Sequence, residues 1–467
     1  MIRRRLLPAA LGLFAALALP ACAQGPSREP LPAPVLAALQ RAQVPVSDFS
    51  AALVNPASVM KLVTSYAALD LLGPEHTWRT SFYTDGVIDG GALRGNLYIR
   101  GGGDPKFVLE RIQDAFYALH DQGAQVVLGD LVLDHSAFDL PPSDPGAFDG
   151  EALRPYNASP DALLVNFKSV ILKFVPDPAV GVARVVSEPP MAGMQIDASV
   201  PLTNGPCGDW RGALRARFDD PARIFFEGRY PARCGEGQWP VAYQDPSSYA
   251  ARALEGLWRS TGGALTGRVR EGLVPPTATL LFEASSLPLS EILLDVNQWS
   301  NNVMAQQVFL TLGQLSPQAT PLAGSGPLPL PRGNFERSRS AVQAWWKRTF
   351  GPSVPAPVLD NGSGLSRDER ITPEALALLL RHAARHPKAE AFVGSLAVAG
   401  VNGTARRYAA SERSPVYGNA LLKTGTLRDV SGVAGYVNAV NGTRYVVVAF
   451  VNHPNAPAAR TALEALV

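Results

Sequence analysis

A serine and a lysine three residues apart, Ser58 and Lys61 in Asn55-Pro-Ala-Ser-Val-Met-Lys-Leu, can perform nucleophilic chemistry without a histidine. A hydroxyl is a weak nucleophile at neutral pH and needs a base within hydrogen-bond reach. A lysine becomes that base when desolvation or neighbouring cations lower its pKa. Two later segments supply what acyl transfer also requires. In Trp299-Ser300-Asn301-Asn302, Ser300 can relay a proton to a leaving amine and Asn302 can hydrogen-bond a substrate carbonyl. In Lys423-Thr424-Gly425-Thr426, a cation and hydroxyls suit a substrate carboxylate, and Gly425 leaves room for an extended peptide. Each tripeptide alone is common in ordinary helices and turns. All three in order, each in suitable local sequence, point to one site.

The elements that must hold these groups are legible around them. Pro56 before Ser58 and Gly73-Pro74 after an apolar run predict a helix of about fifteen residues, with Ser58 in its first turn and Lys61 on the same face. Lys423 to Gly425 read as an edge strand turning into Val430 to Asn438, and Asn441-Gly442 marks the turn of a second hairpin ending near Phe450. Pro34 to Ala42, Arg337 to Phe350 and Thr372 to His386 have helical spacing of apolar residues. Pro321 to Gly333 reads as a long surface loop. Helices around an antiparallel sheet make the catalytic part α+β.

The gap from Ser58 to Ser300 is about twice that from Ser300 to Lys423, too long for one helix and its packing partners. A domain must therefore be inserted. Short strands at 95–100, 125–129, 169–175 and 223–227, with 278–282 just beyond, predict a mostly β insert in two lobes over residues 80–276, nested in a catalytic domain of 24–79 and 277–467.

The three motifs resemble the S-x-x-K, S-x-N and K-T-G set of penicillin-recognising serine enzymes. The longer segments Gly101-Gly-Gly-Asp-Pro105, Tyr156-Asn-Ala-Ser-Pro, Asp360-Asn-Gly-Ser-Gly-Leu-Ser-Arg367 and Ala399-Gly-Val-Asn-Gly-Thr404 narrow the likeness. With them the chain is similar to the D-alanyl-D-alanine carboxypeptidase/endopeptidase family of class C low-molecular-mass penicillin-binding proteins. That resemblance implies a penicillin-binding/β-lactamase-like catalytic domain acting on peptidoglycan peptides, acylated by β-lactams and needing no cofactor. It implies Ser58 as acylated nucleophile, with Lys61, Lys423, Ser300 and Asn302 as its proton network. The oxyanion hole would be the N–H groups of Ser58 and Thr426. Asp360 and Arg367 would form a site wall, with Arg367, and less directly Arg428, available to an acidic group of the substrate. The family pattern also has a strand pair before the Asn55 motif, whereas residues 46–54 leave room for one strand. A β-lactamase or esterase on the same fold, or a peptidoglycan-binding protein impaired by the missing strand, are the competing expectations.

The rest of the composition excludes more than it assigns. Six histidines are scattered without zinc-ligand spacing, and His453 suits the capping of a core strand better than a catalytic triad. Gly101-Gly-Gly-Asp-Pro is a tight turn, since no Gly-Lys-Ser/Thr follows. Residues 1–23 read as a signal peptide: three arginines, an apolar run from Leu6 to Leu19, and Ala21-Cys22-Ala23. Without them 39 basic residues face 40 acidic ones, which leaves no nucleic-acid footprint. A periplasmic mature chain is expected, with lipidation of Cys22 the less favoured alternative. Cys207 and Cys234 then remain as an even pair, expected as a disulfide in an oxidising compartment.

Overall fold

The computed structural model describes residues 31–46, 50–315, 331–409 and 411–467, and the backbone of 11–18. Most of the loop expected at 321–333, and most of the leader with Cys22, lie outside the described residues. The chain forms two compact units, one of Met1–His76 with Pro288–Val467 and one of Thr77–Leu287.

The first unit is built on an antiparallel sheet ordered Leu11–Ala18, Arg444–Asn452, Val430–Asn438, Ala420–Leu427, Ala397–Val398. Its two central strands are buried along nearly their whole length, which requires cover on both faces. On one face Val35 and Leu39 of the helix Ala33–Arg41 and Leu463 of Arg460–Leu466 pack against Val433, Ala449 and Val451. Elsewhere the Tyr436 hydroxyl donates to the Leu380 carbonyl of the helix Pro373–Ala383 at 2.7 Å, tying sheet to helix.

Two helices carry the candidate residues Lys61 and Asn302. Lys61–Leu72, entered through a 3₁₀ turn at Ala57–Met60, buries Leu62, Val63, Tyr66 and Leu69 and ends at Gly73, whose φ of 87° stops the helix. Asn302–Gly313 starts at Asn301, whose side chain accepts the Met304 N–H at 3.1 Å, and it is buried on every side. A helix buried all round belongs in a core, and here it also carries polar side chains, Asn302 at its start and then Gln306, Gln307 and Thr311.

Residues 46–54 do not supply the expected strand. Residues 47–49 lie outside the described set, and Val54 makes one isolated bridge to Ile371. The position remote from Ala420–Leu427 is taken instead by Leu11–Ala18, inside the segment read as a leader.

The insert has a five-stranded sheet ordered Val269–Glu271, Leu131–Asp134, Leu97–Arg100, Arg79–Thr84, Thr279–Ser285, and a second ordered Tyr230–Pro231, Ser199–Thr203, Val182–Glu188, Ser169–Asp177, Gly237–Ala242, besides two smaller sheets. Two corrections follow. Thr279–Ser285 pairs with Arg79–Thr84, so the unit closes at Leu287 and not at 276. The two groups of strands, with helices Leu109–Asp121 and Pro246–Ser260, share one core running from Phe82 and Ile99 through Phe116 and Trp258 to Phe174 and Tyr230, where the sequence suggests two lobes. A disulfide joins Cys207 to Cys234 with Cα atoms 5.0 Å apart; cross-linking over 27 positions stabilises by about 3–4 kcal/mol in the chain-entropy account.

A partly buried ionic cluster, with Glu271 at its exposed end, also belongs to the insert. His135 Nδ1 bonds Asp161, its Nε2 lies 3.0 Å from Glu271 Oε2, and Lys168 Nζ lies 2.8 Å from the other Asp161 oxygen. Burial disfavours the imidazolium, but hydrogen bonds and charges from Asp161 and Glu271 outweigh it and hold His135 at about 10 against an ordinary 6.5. A folded-state value above the unfolded one adds stability that is complete below about pH 6.5 and lost as pH rises through about 10. The insert's denaturation midpoint is therefore expected to fall between about pH 7 and about pH 10, and His135→Gln to flatten that slope. Urea unfolding of both proteins across this range is the measurement; identical slopes would count against the cluster.

Candidate active site

Ser58, Lys61, Ser300, Asn302 and Lys423 converge in the first unit. Asn55 sets Ser58 in place. Its side-chain oxygen accepts the Ala57 N–H at 2.8 Å, its amide donates to Ser366 O at 3.0 Å, and its backbone exchanges two hydrogen bonds with the Asn452 side chain at 2.8 and 3.0 Å. Ala57 is thereby held at φ 48°, a conformation that costs an alanine about 1 kcal/mol or more, and the half-buried Ser58 follows it. Ser300 has φ 60°, so both serines of the site lie next to or within strained backbone.

Lys61 is fully buried. Its Nζ lies 2.6 Å from Asn302 Oδ1, 2.5 Å from the Ser363 carbonyl and 3.2 Å from Ser58 Oγ. The first two partners can only accept. A neutral amine has two N–H donors and one lone pair, so donation to Asn302 and Ser363 leaves the lone pair to accept the Ser58 hydroxyl proton. Burial lowers Lys61 to about 7, against the opposing charge of Glu369. Lys423 is also buried; desolvation, then the Lys61 charge, bring it well below its ordinary value. Its Nζ donates to Ser300 Oγ and to the Thr424 carbonyl, both at 2.9 Å. Two hydroxyl–amine pairs result, Ser58 with Lys61 and Ser300 with Lys423.

The strand bearing Lys423 is tied to the turn that holds Ser58. A Cβ on Gly425 would stand 2.6 Å from the Pro56 carbonyl, so the glycine permits close packing of strand against helix start rather than of strand against substrate. The short strand Ala397–Val398 pairs only with Leu422 and Leu421. Among the described residues no strand continues that pairing along Lys423–Leu427, so this backbone edge is open to an extended peptide.

The outer candidates separate. Thr424 is nearly buried, and its hydroxyl bonds that of Thr404 at 2.8 Å, which gives it a structural partner in the Ala399-to-Thr404 segment. Thr426 and Arg428 are the exposed side chains of this stretch. Arg367 is ion-paired with Asp429 at 2.8 Å, and Asp360 faces Arg339 at 3.7 Å; neither is simply presented to a ligand as the sequence suggests. Asp429 is remote from Arg367 in sequence, so nothing there announces the pair. His453 accepts the Asn455 N–H through Nδ1 at 3.0 Å, as a turn residue and not a base. Sequence reasoning missed the Ser363 carbonyl as a Lys61 partner, Thr404, and Glu369. Among the described residues no three His, Cys, Asp or Glu side chains could hold a metal ion, and no helix is long and apolar enough to cross a membrane.

Known proteins are similar to the chain over most of its length. The chain is 28% identical over 415 residues to a D-alanyl-D-alanine carboxypeptidase of Actinomadura sp. (strain R39), covering 83% of this chain and 71% of that one. It is 25% identical over 405 residues to the D-alanyl-D-alanine carboxypeptidase DacB of Haemophilus influenzae, covering 85% and 80%. The crystal structure of penicillin binding protein 4 from Haemophilus influenzae superposes with a TM-score of 0.69 at 22% identity, over 92% of this chain and 97% of that one; a complex of it with a β-lactam gives 0.64. The profile of the D-Ala-D-Ala carboxypeptidase 3 (S13) family matches residues 33–467, and the chain belongs to that family of serine-type peptidases.

Proposed function

We propose that the protein is an exported serine DD-peptidase that cleaves D-alanyl peptide bonds in peptidoglycan stem peptides and cross-links through an acyl-enzyme on Ser58. The observation that carries this is the donor count at Lys61, whose two N–H bonds are committed and whose lone pair meets the Ser58 hydroxyl.

Ser58 Oγ attacks the carbonyl carbon while its proton passes to Lys61 Nζ. The N–H groups of Ser58 and Thr426 are assigned to the developing oxyanion by likeness to the family. The C–N bond then breaks, and the leaving amine takes the Ser300 hydroxyl proton, which Lys423 at 2.9 Å replaces. Water attacks the ester and gives a proton by way of Ser300 to Lys423, while Lys61 returns its proton to Ser58 Oγ as the ester C–O bond breaks and the acid is released. The substrate lies along the open Lys423–Leu427 edge as an added strand, with its carboxylate near Lys423, Thr426 and Arg428.

Export is supported by the leader composition and by the disulfide, a bond typical of oxidising compartments. Cleavage after Ala23 would remove Leu11–Ala18 from the sheet, and N-terminal sequencing of the mature protein tests it. The catalytic reading is tested with a fluorescent penicillin. The adduct should map to the peptide containing Ser58, and its rate should rise with pH through about 7 as Lys61 loses its proton. Release of D-alanine from a stem pentapeptide and cleavage of a cross-linked dimer identify the two activities. An adduct on Ser300, or on the fully buried Ser363, would overturn the assignment.

A further inference from the structure

Glu369 is a buried carboxyl that none of the three motifs contains. Its Oε1 accepts three backbone N–H groups, from Asp360 at 3.1 Å, Asn361 at 3.2 Å and Gly362 at 2.7 Å. These belong to the turn that faces the nucleophile's helix. The carbonyl of Gly362 accepts the Thr64 hydroxyl at 2.6 Å, and the next carbonyl, Ser363, accepts Lys61 Nζ at 2.5 Å. Lys61 and Thr64, three apart on one helix, share a face. A single carboxyl oxygen thus fixes the loop that fixes the lysine. The second oxygen, Oε2, is buried; the Gly364 N–H favours the carboxylate from nearby, but no hydrogen bond of good geometry reaches Oε2 among the described residues. An unsatisfied carboxyl oxygen in a core is costly, and a purely structural tie would be made at lower cost by a neutral side chain.

We propose that Glu369 is a positioning residue for the reaction: it holds the 360–363 turn against Lys61, and its negative charge stabilises the protonated form of that lysine. The proposal rests on the reading of Lys61 as the base for Ser58.

The charges around Glu369 are few. Asp360 on the same turn disfavours its ionised form, and Arg370, its sequence neighbour, spends its guanidinium on the backbone carbonyls of Arg367 and Glu369. From the helix Lys61–Leu72 comes Lys61, whose own charge in turn lowers Lys423 on the strand Ala420–Leu427. Burial pushes Glu369 up to about 7, outweighing the N–H bonds that favour its charge, while Lys61 is brought down to about 7. The buried acid and the buried base therefore change charge in the same pH range. As the carboxyl ionises it holds a proton on Lys61, and without that charge Lys61 would be neutral at lower pH.

Glu369→Gln separates the two roles, because the amide oxygen can accept the same three N–H groups but carries no charge. Lysine labelled with ¹³C at Cε reports the Lys61 titration directly in the unacylated protein, and acylation by a fluorescent penicillin reports its consequence. In Glu369→Gln the Lys61 midpoint should move down by about one pH unit, and the acid limb of acylation should move with it while the plateau rate stays within about threefold. Glu369→Ala, which also frees the turn, should lose at least tenfold in plateau rate. An unchanged Lys61 midpoint in Glu369→Gln overturns the electrostatic role, whatever the acylation result. A plateau in Glu369→Gln reduced tenfold or more, or a wild-type plateau in Glu369→Ala, overturns the positioning role. If Glu369→Ala does not fold, Glu369→Gln alone decides. A wild-type protein with no adduct on Ser58 but a shifted Lys61 midpoint in Glu369→Gln would refute the catalytic reading and leave the link between Glu369 and Lys61 standing.

Discussion

Lys61→Ala is expected to lower covalent labelling by penicillin by about a thousandfold or more in a chain that stays folded, since positioned general bases contribute about 10²–10⁴ in rate. The substitution removes the one amine that hydrogen-bonds Ser58 Oγ among the described residues and takes the Lys61 donor away from two buried acceptors, Asn302 Oδ1 and the Ser363 carbonyl. Losing such partners costs about 1–3 kcal/mol each, partly offset because a lysine no longer has to be desolvated. Ser58→Ala is the sharper control. It should abolish the adduct with little change in stability, because Lys61 keeps its two stronger contacts. Lys61→Arg should not restore labelling, since a guanidinium does not give up its proton in this range. Intact-protein mass after incubation with penicillin, together with near-UV circular dichroism, reads both quantities. A labelled and folded Lys61→Ala protein would place the base elsewhere.

Gly364→Ala should be nearly as damaging although it touches no reacting atom. The residue has φ 77°, and a Cβ there would stand 1.9 Å from the Ala57 carbonyl oxygen and 2.7 Å from the Ser58 Cα. Both obstacles are backbone, so no rotamer relieves the clash, and the strained Ala57–Ser58 turn must move. A loss of about 3 kcal/mol in stability and at least about a hundredfold in acylation is expected. Gly394→Ala, where a Cβ meets nothing within 4 Å, is the matched control. Thermal melting and acylation rates of the two variants make the comparison; equal behaviour would remove the close-packing argument.

What the sequence discloses and what it hides divide along a physical line. Ser58 and Lys61 are read together because helix periodicity brings residues three apart onto one face. Ser300 and Lys423 are readable because their motifs carry chemistry within a few consecutive residues. Glu369 is not, since its role depends on which backbone amides fold over it, and Thr404 gains meaning only when Thr424 is seen beside it. Arg367 looks available to a ligand until Asp429 is seen beside it, in the turn that ends the Lys423 strand. The strand expected at 46–54 failed for a related reason: a short apolar run says nothing of whether a sheet edge is within reach, and here Val54 reaches only Ile371. Thr279–Ser285 was recognisable as a strand, but its partner Arg79–Thr84 lies some two hundred residues earlier, which moved the domain boundary.

That pairing has a further result for how such a chain could be assembled. Trp78 and Ser286 exchange hydrogen bonds at the root of the insert, and on the other side of the junction the Leu289 and Ser290 N–H groups return to the carbonyls of His76 and Pro74. The insert's entry and exit are therefore adjacent. Excising Thr77–Leu287 and rejoining the stumps would demand a linker no longer than an ordinary helix–helix connection, a few residues in length. Gene fusion at this junction could add, exchange or delete a whole lobe in one event, without altering the register of the strand that carries Lys423.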